Sequence, residues 1–305
     1  MAGVSTGSRA LRDAVVRIVA GRFGPITGTP REMTFGHRST TFRLLTDAGA
    51  DLIVRTDADL NAYAGTGSNI AILGELGLPV PRVLDLDLSG SDVPFAWMIL
   101  GAIPGKDLRF ELSHMTSRQM SAVADRVVGF QRTVGGLPEG GGYGFAPLGV
   151  AAPHKRWLDA VRADRPQVRA DPAMRELAVA VDLALGRAEQ RLADLPATCF
   201  LDDLTIKNVI VEHGALRGIV DLDVVCFGDP MYWLALTQVA VVADLDPPAQ
   251  FYVDELLRFW DPSERERSDF ALWCAVHAAE FLTYDLAPAR ARRLLEKAME
   301  WVSDG

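Results

Sequence analysis

The chain has 305 residues, 49% hydrophobic and 23% charged, with a net charge of −9. That length can bury one large core or two modest ones, while the acidic balance and lack of a basic run argue against a nucleic-acid partner. No apolar run nears the ~18 residues of a membrane span, and residues 1–12 lack a signal-type segment. The scattered Cys199, Cys226 and Cys274 read as reduced buried thiols of a cytoplasmic protein, and the five dispersed histidines offer no zinc cluster.

Residues 8–23 place Leu11, Val15, Ile18 and Val19 on one helical face, and Gly24-Pro25 stops that helix. Short β-like runs follow at 42–46, 52–55, 83–86 and 95–100, with one helical run at 69–76 between the second and third. Residues 101–105, Gly-Ala-Ile-Pro-Gly, break the chain. Beyond them the pattern is mostly helical. Residues 117–134 carry Met120, Val123, Val127, Val128 and Phe130 on one side, and the Gly- and Pro-rich stretch 138–153 reads as loop. Helices are expected at 157–163 and 172–195, then at 231–243, 248–260, 263–282 and 288–302. No internal repeat or low-complexity tail interrupts them.

The most informative stretch is Phe200-Leu201-Asp202-Asp203-Leu204-Thr205-Ile206-Lys207-Asn208. The apolar run Val209-Ile210-Val211 follows, then a turn at His213-Gly214, then Gly218-Ile219-Val220 and Asp221. Two strands joined by a turn would hold Asp203, Asn208 and Asp221 around one small volume. Phosphoryl transfer needs that set: a carboxylate beside the attacking hydroxyl, plus an amide and a carboxylate for Mg²⁺ on nucleotide phosphates. Turn formation and helix capping are the plainer uses of such residues. An Asp-x4-Asn alone is weak evidence; followed by strand, turn, strand and Asp it is much stronger.

These motifs resemble the aminoglycoside phosphotransferase-like small-molecule kinases, a group that includes choline kinase and is related to the protein kinases. The family's catalytic loop is written H-G-D-x-x-x-x-N, and its metal site I-D-[WF]-[DE] is followed by G-D-P. The chain has Leu201-Asp202-Asp203 through Asn208, Val220-Asp221-Leu222-Asp223, and Gly228-Asp229-Pro230. The resemblance implies an α+β, two-lobed protein-kinase-like fold and transfer of a phosphoryl group from ATP or GTP to a small hydroxylated acceptor. Asp203 would be the catalytic base, and Asn208 and Asp221 would hold Mg²⁺. The leading His is Leu201 and the Gly is Asp202; Leu201 reads as an apolar replacement for a loop-supporting residue, and Asp202 has no assigned role. The expected division is a nucleotide-binding lobe over 1–100, a hinge at 101–105 and a helical lobe over 106–305.

The same resemblance places the phosphate-covering loop at residues 34–43, where Gly36, Ser39 and Thr40 would meet the nucleotide. Arg55, ending an apolar run, would grip phosphates in place of the protein-kinase lysine. Its expected partner is Asn69, Asp57 or Asp59 in preference to Glu75. Leu100 and Ala102 would present backbone to the base, with Met98 guarding the pocket. Tyr232, Glu280, Tyr284 and Asp285 are candidates for the acceptor, whereas Asp229, Trp233 and Trp273 read as structural. A non-catalytic relative that keeps the scaffold is the alternative, favoured by the missing His and opposed by the intact Asp203, Asn208 and Asp221. Phosphorylation of proteins is disfavoured, because residues 222–229 are too few for an activation segment.

Overall fold

A computed structural model describes residues 6–33, 39–165 and 172–304. The chain divides into two units, Met1–Gly74 with Val80–Ile103, and Glu75–Pro79 with Pro104–Gly305.

The first unit begins with helix α1 (Thr6–Phe23), followed by β1 (Ile26–Met33), β2 (Thr40–Thr46), β3 (Asp51–Asp57), helix α2 (Thr66–Glu75), β4 (Val83–Asp87) and β5 (Ala96–Gly101). The strands form one antiparallel sheet in the order β1-β2-β3-β5-β4. Strand alternation explains the core. Phe42, Leu44, Leu52, Val54, Trp97 and Ile99 share one face and pack with Val15, Ile18 and Val19 of α1. Each fully buried side chain of this kind contributes roughly 1.5–3 kcal/mol. Arg22 of α1 adds an ion pair with Asp85 and stacks on Trp97 at 4.5 Å. Strand β1 has no counterpart among the expected runs. It holds Pro30 and a register shift, which a sheet tolerates on an edge strand, and its poor alternation hides it from sequence reading.

The second unit opens with β6 (Lys106–Asp107) and the short helix α3 (Leu108–Glu111), then α4 (Ser117–Gly135), β7 (Gly144–Ala146), α5 (Trp157–Asp164) and α6 (Pro172–Ala193). Strands β8 (Thr198–Phe200), β9 (Val209–Glu212), β10 (Ala215–Ile219) and β11 (Val225–Gly228) follow. Helices α7 (Met231–Asp244), α8 (Gln250–Trp260), α9 (Glu264–Phe281) and α10 (Pro288–Asp304) close the chain. Capping boxes start two of these helices, Thr116 with Gln119 at α4 and Ser263 with Glu266 at α9. Trp157, Trp233 and Trp273 are fully buried.

Two small sheets organise this unit, in the orders β10-β9-β6 and β7-β11-β8. Gly105 delivers the chain to β6 at φ +122, where a Cβ would lie 2.4 Å from the Val211 carbonyl oxygen; only glycine fits. Strand β7 corrects the loop expected over 138–153. Its three residues pair with β11, some eighty positions later, so nothing local in the sequence signals it. The three cysteines are free and buried; burial pushes the Cys199 thiol up to about 12 and the other two well above their usual range, so all three are inert thiols.

Candidate active site

Two loops carry the motif residues: 201–208 runs from β8 to β9, and 220–224 runs from β10 to β11. Pairing of β9 with β10 closes one end of both loops, and pairing of β8 with β11 closes the other. The loops must therefore run side by side. The Val220 N–H donates to the Asn208 carbonyl at 2.9 Å and stitches them together directly. Between them lies a shallow, solvent-open recess lined by Leu201, Asp202, Asp203, Val220, Asp221 and Leu222 among others.

Within the first loop Asn208 Nδ2 donates to the Asp203 carbonyl at 2.9 Å. With its nitrogen engaged, the amide keeps Oδ1 for another partner. Thr205 Oγ1 donates to Asp203 Oδ1 at 3.3 Å. Asp203 has exposed surface, yet the rest of its carboxyl is hemmed in by protein. That desolvation, followed by the nearby charge of Asp221, raises Asp203 to about 6 against the pull of Asn208 and Thr205. Burial and the adjacent Asp203 push Asp202 up further still. Asp221 is exposed and sits at φ +62, a left-handed conformation that Asp and Asn tolerate better than other residues with a Cβ. Asn208 Oδ1 and the Asp221 carboxylate are hard oxygen donors. They fit Mg²⁺, which is typically held by one or two carboxylates and substrate phosphates.

Buried groups that are remote in sequence hold the first loop. Trp233 Nε1 donates to the Leu204 carbonyl at 2.8 Å, and the Arg109 N–H donates to the Ile206 carbonyl at 2.9 Å. Gln131 bonds both backbone groups of Leu201. Sequence reading missed Gln131, although a glutamine among the apolar residues of α4 was the available signal. Asp229 takes the structural role expected of it, but at the start of α7: its carboxylate accepts from the Met231 N–H at 3.0 Å and from Trp273 Nε1 at 2.7 Å. Lys207 pairs with Asp244 at 3.2 Å and lies over the Phe281 ring.

Of the acceptor candidates, Glu280 is half-buried and accepts from the Tyr284 hydroxyl at 2.7 Å, with His277 Nδ1 at 3.9 Å. Burial raises its carboxyl, but the nearby His277 ring and the bond from the Tyr284 hydroxyl together outweigh that and leave it below its ordinary value. Tyr284 and Asp285 are exposed, whereas Tyr232 is buried against Trp157, Trp273 and His277.

The nucleotide candidates lie in the first unit. Arg55 pairs in register with Thr41 and Met98, on the sheet face opposite the α1 core, and its guanidinium stacks on buried Tyr63 at 5.2 Å. Asn69 is fully buried, Glu75 is exposed, and Asp57 and Asp59 each accept a backbone N–H two residues on. Alternation sets Thr40 on the Phe42 face, away from Arg55, and Ser39 precedes it, half-buried. Gly36 lies outside the described residues. Leu100 is buried in β5 opposite Ile53, and the Ala102 N–H is engaged by the Asp51 carbonyl at 3.0 Å.

Residues 31–270 match the phosphotransferase enzyme family known as APH. The chain belongs to that family of phosphotransferases. Among curated proteins, none matches the sequence. A thermostable mutant of aminoglycoside phosphotransferase APH(4)-Ia, solved with AMP-PNP and hygromycin B, superposes with a TM-score of 0.67 at 18% identity, covering 96% of this chain and 99% of that one. A putative fructosamine-3-kinase from Thermobifida fusca gives 0.60 at 16% identity over 95% and 99%. The aminoglycoside phosphotransferase APH(2")-IIia, solved with GDP and kanamycin, gives 0.64 at 14% identity over 95% and 97%. The fold is thus the protein-kinase-like α+β fold of these enzymes.

Proposed function

We propose that the protein is a Mg²⁺-dependent kinase that transfers the γ-phosphoryl group of ATP or GTP to a hydroxyl of a small molecule. The observation that carries this reading is the convergence of Asp203, Asn208 and Asp221 on two cross-stitched loops. Asp203 accepts the proton of the acceptor hydroxyl while that oxygen bonds to the γ-phosphorus and the bond to the leaving nucleoside diphosphate breaks. Asn208 Oδ1 and Asp221 would hold Mg²⁺, which neutralises charge on the phosphates. Arg55 supplies a fixed cation for those phosphates, as a guanidinium fork suits them. For the base, Leu100 and Ala102 remain the backbone positions of this reading; with the Ala102 N–H engaged, Ala102 would offer its carbonyl.

The relatives crystallised with AMP-PNP, ADP or GDP support a purine nucleotide as donor. Hygromycin B and kanamycin, bound by two of those relatives, belong in the first acceptor panel alongside fructosamines and simple polyols. The test is direct. Purified protein with ATP or GTP and Mg²⁺ should phosphorylate at least one hydroxylated acceptor, with one nucleoside diphosphate released per product. Absence of nucleotide turnover across the panel, with the folded state verified, would sink the reading in favour of a binding protein.

A further inference from the structure

Gln131 sits within α4 at 1% exposure, among the buried Met120, Ala124, Val127 and Val134. A polar amide there is unfavourable unless fully bonded. Its Nε2 donates to the Leu201 carbonyl at 2.7 Å, and its Oε1 accepts from the Leu201 N–H at 2.9 Å. The donor and acceptor of one backbone residue are met by the acceptor and donor of one side chain, which fixes the orientation of the amide. Leu201 is the first residue beyond β8, whose last register partner is Cys226 of β11. The amide thus holds the backbone at the point where the chain leaves the sheet for Asp202 and Asp203.

Leucine stands at 201 where the related motif carries histidine, and a leucine side chain has no polar group with which to fix the loop. The polar support comes instead from a helix seventy positions earlier in the chain. We infer that Gln131 is a positioning residue for phosphoryl transfer: its amide clamps Leu201 and thereby sets the place of Asp203 two residues on. It touches no reacting atom. The inference rests on the phosphotransferase reading above.

Two variants test it. Gln131→Met keeps the length and shape of the side chain and removes both bonds. Val128→Ala truncates a neighbouring buried side chain of the same helix and serves as the control for lost stability. With Gln131→Met, kcat should fall roughly ten- to hundredfold, the loss that about an ångström of misplacement can cause, while KM for the nucleotide stays unchanged. Val128→Ala should lower Tm and leave kcat intact at temperatures where both variants are folded. Equal kcat in the two variants, or a Gln131→Met defect confined to KM, overturns the inference. Should Gln131→Met fail to fold, hydrogen exchange on the wild-type protein decides. The Leu201 amide should be as protected as those of β9, and fast exchange there overturns the clamp. A wild-type protein that turns over no nucleotide defeats the phosphotransferase reading itself; an active wild type with an indifferent Gln131→Met defeats only the positioning role.

Discussion

Arg55 and Asp203 are held in place by different means. Arg55 rides on a central strand of the first unit, where the ladders to β2 and β5 fix its backbone and alternation fixes its face. Asp203 lies on a loop with no ladder of its own. Its backbone is held by Asn208 from within the loop, and its neighbours Leu201, Leu204 and Ile206 by Gln131, Trp233 and the Arg109 N–H. A sheet positions a side chain through many equivalent bonds, whereas a loop needs a few individual braces, each of which matters. Substitutions in the loop should therefore disturb the rate, and substitution at Arg55 should disturb binding.

The largest effect is expected at the loop. Asp203→Ala should lower the transfer rate ~10²–10⁴-fold, the usual contribution of a general base, while nucleotide affinity holds, because this carboxylate interacts with the acceptor. Single-turnover kinetics beside equilibrium binding of a non-hydrolysable ATP analogue would show the split. Wild-type turnover in this variant would transfer the base's role to Asp202. Asp221→Asn should act on rate and binding together. Asparagine tolerates the left-handed backbone at φ +62 as aspartate does, so the substitution removes charge with little added strain. A Mg²⁺ titration of analogue binding should then shift to higher metal concentration, and superimposed curves would remove Asp221 from the metal site.

The same contrast decides what could be read from sequence. Helical periodicity marked α1, α4 and the closing helices, because a buried stripe repeats within the element itself. The β9–β10 hairpin was legible too, and with it the meeting of the loops that carry Asp203, Asn208 and Asp221, since the turn and motif spacings are local. Strands β7, β8 and β11 were not, as each is three or four residues long and gains its identity from partners far along the chain. The braces were hidden for the same reason. Gln131 with Leu201 and Trp273 with Asp229 are pairs that only folding brings together. Asp202 carried no legible role, and the structure adds that burial and the charge of Asp203 oppose its ionisation.

Arg55 should yield a smaller and more selective effect. Arg55→Ala should weaken ATP binding by roughly 1.5–3 kcal/mol, the worth of a hydrogen bond to a charged group, or about one to two decades in Kd. Adenosine, which has no phosphate, should bind nearly as before. Arg55→Lys should recover part of the loss, since it keeps the charge without the fork. Calorimetry with both ligands separates the cases. Equal losses for ATP and adenosine would mean that removing the cation stacked on Tyr63 had disturbed the sheet.

The mildest expected effect appears without any mutation. Asp203 must be ionised to accept a proton, and its burial and the charge of Asp221 raise it from the ordinary carboxylate value to about 6. A raised carboxylate pKa means that the reactive, charged form predominates above about 6 and is lost as pH falls through that value. The profile of kcat/KM reports groups of the free enzyme, which is the state described. It should be flat above about pH 7 and fall tenfold per unit well below 6. Asp203→Ala should abolish that limb along with most of the rate. Asp202→Asn should keep the limb and leave it in place, since Asp202 is pushed up to about 8 and is already uncharged where Asp203 titrates. A wild-type limb near pH 4 would show an Asp203 as well solvated as an ordinary surface aspartate, and the braced, half-enclosed loop would then have no bearing on its basicity.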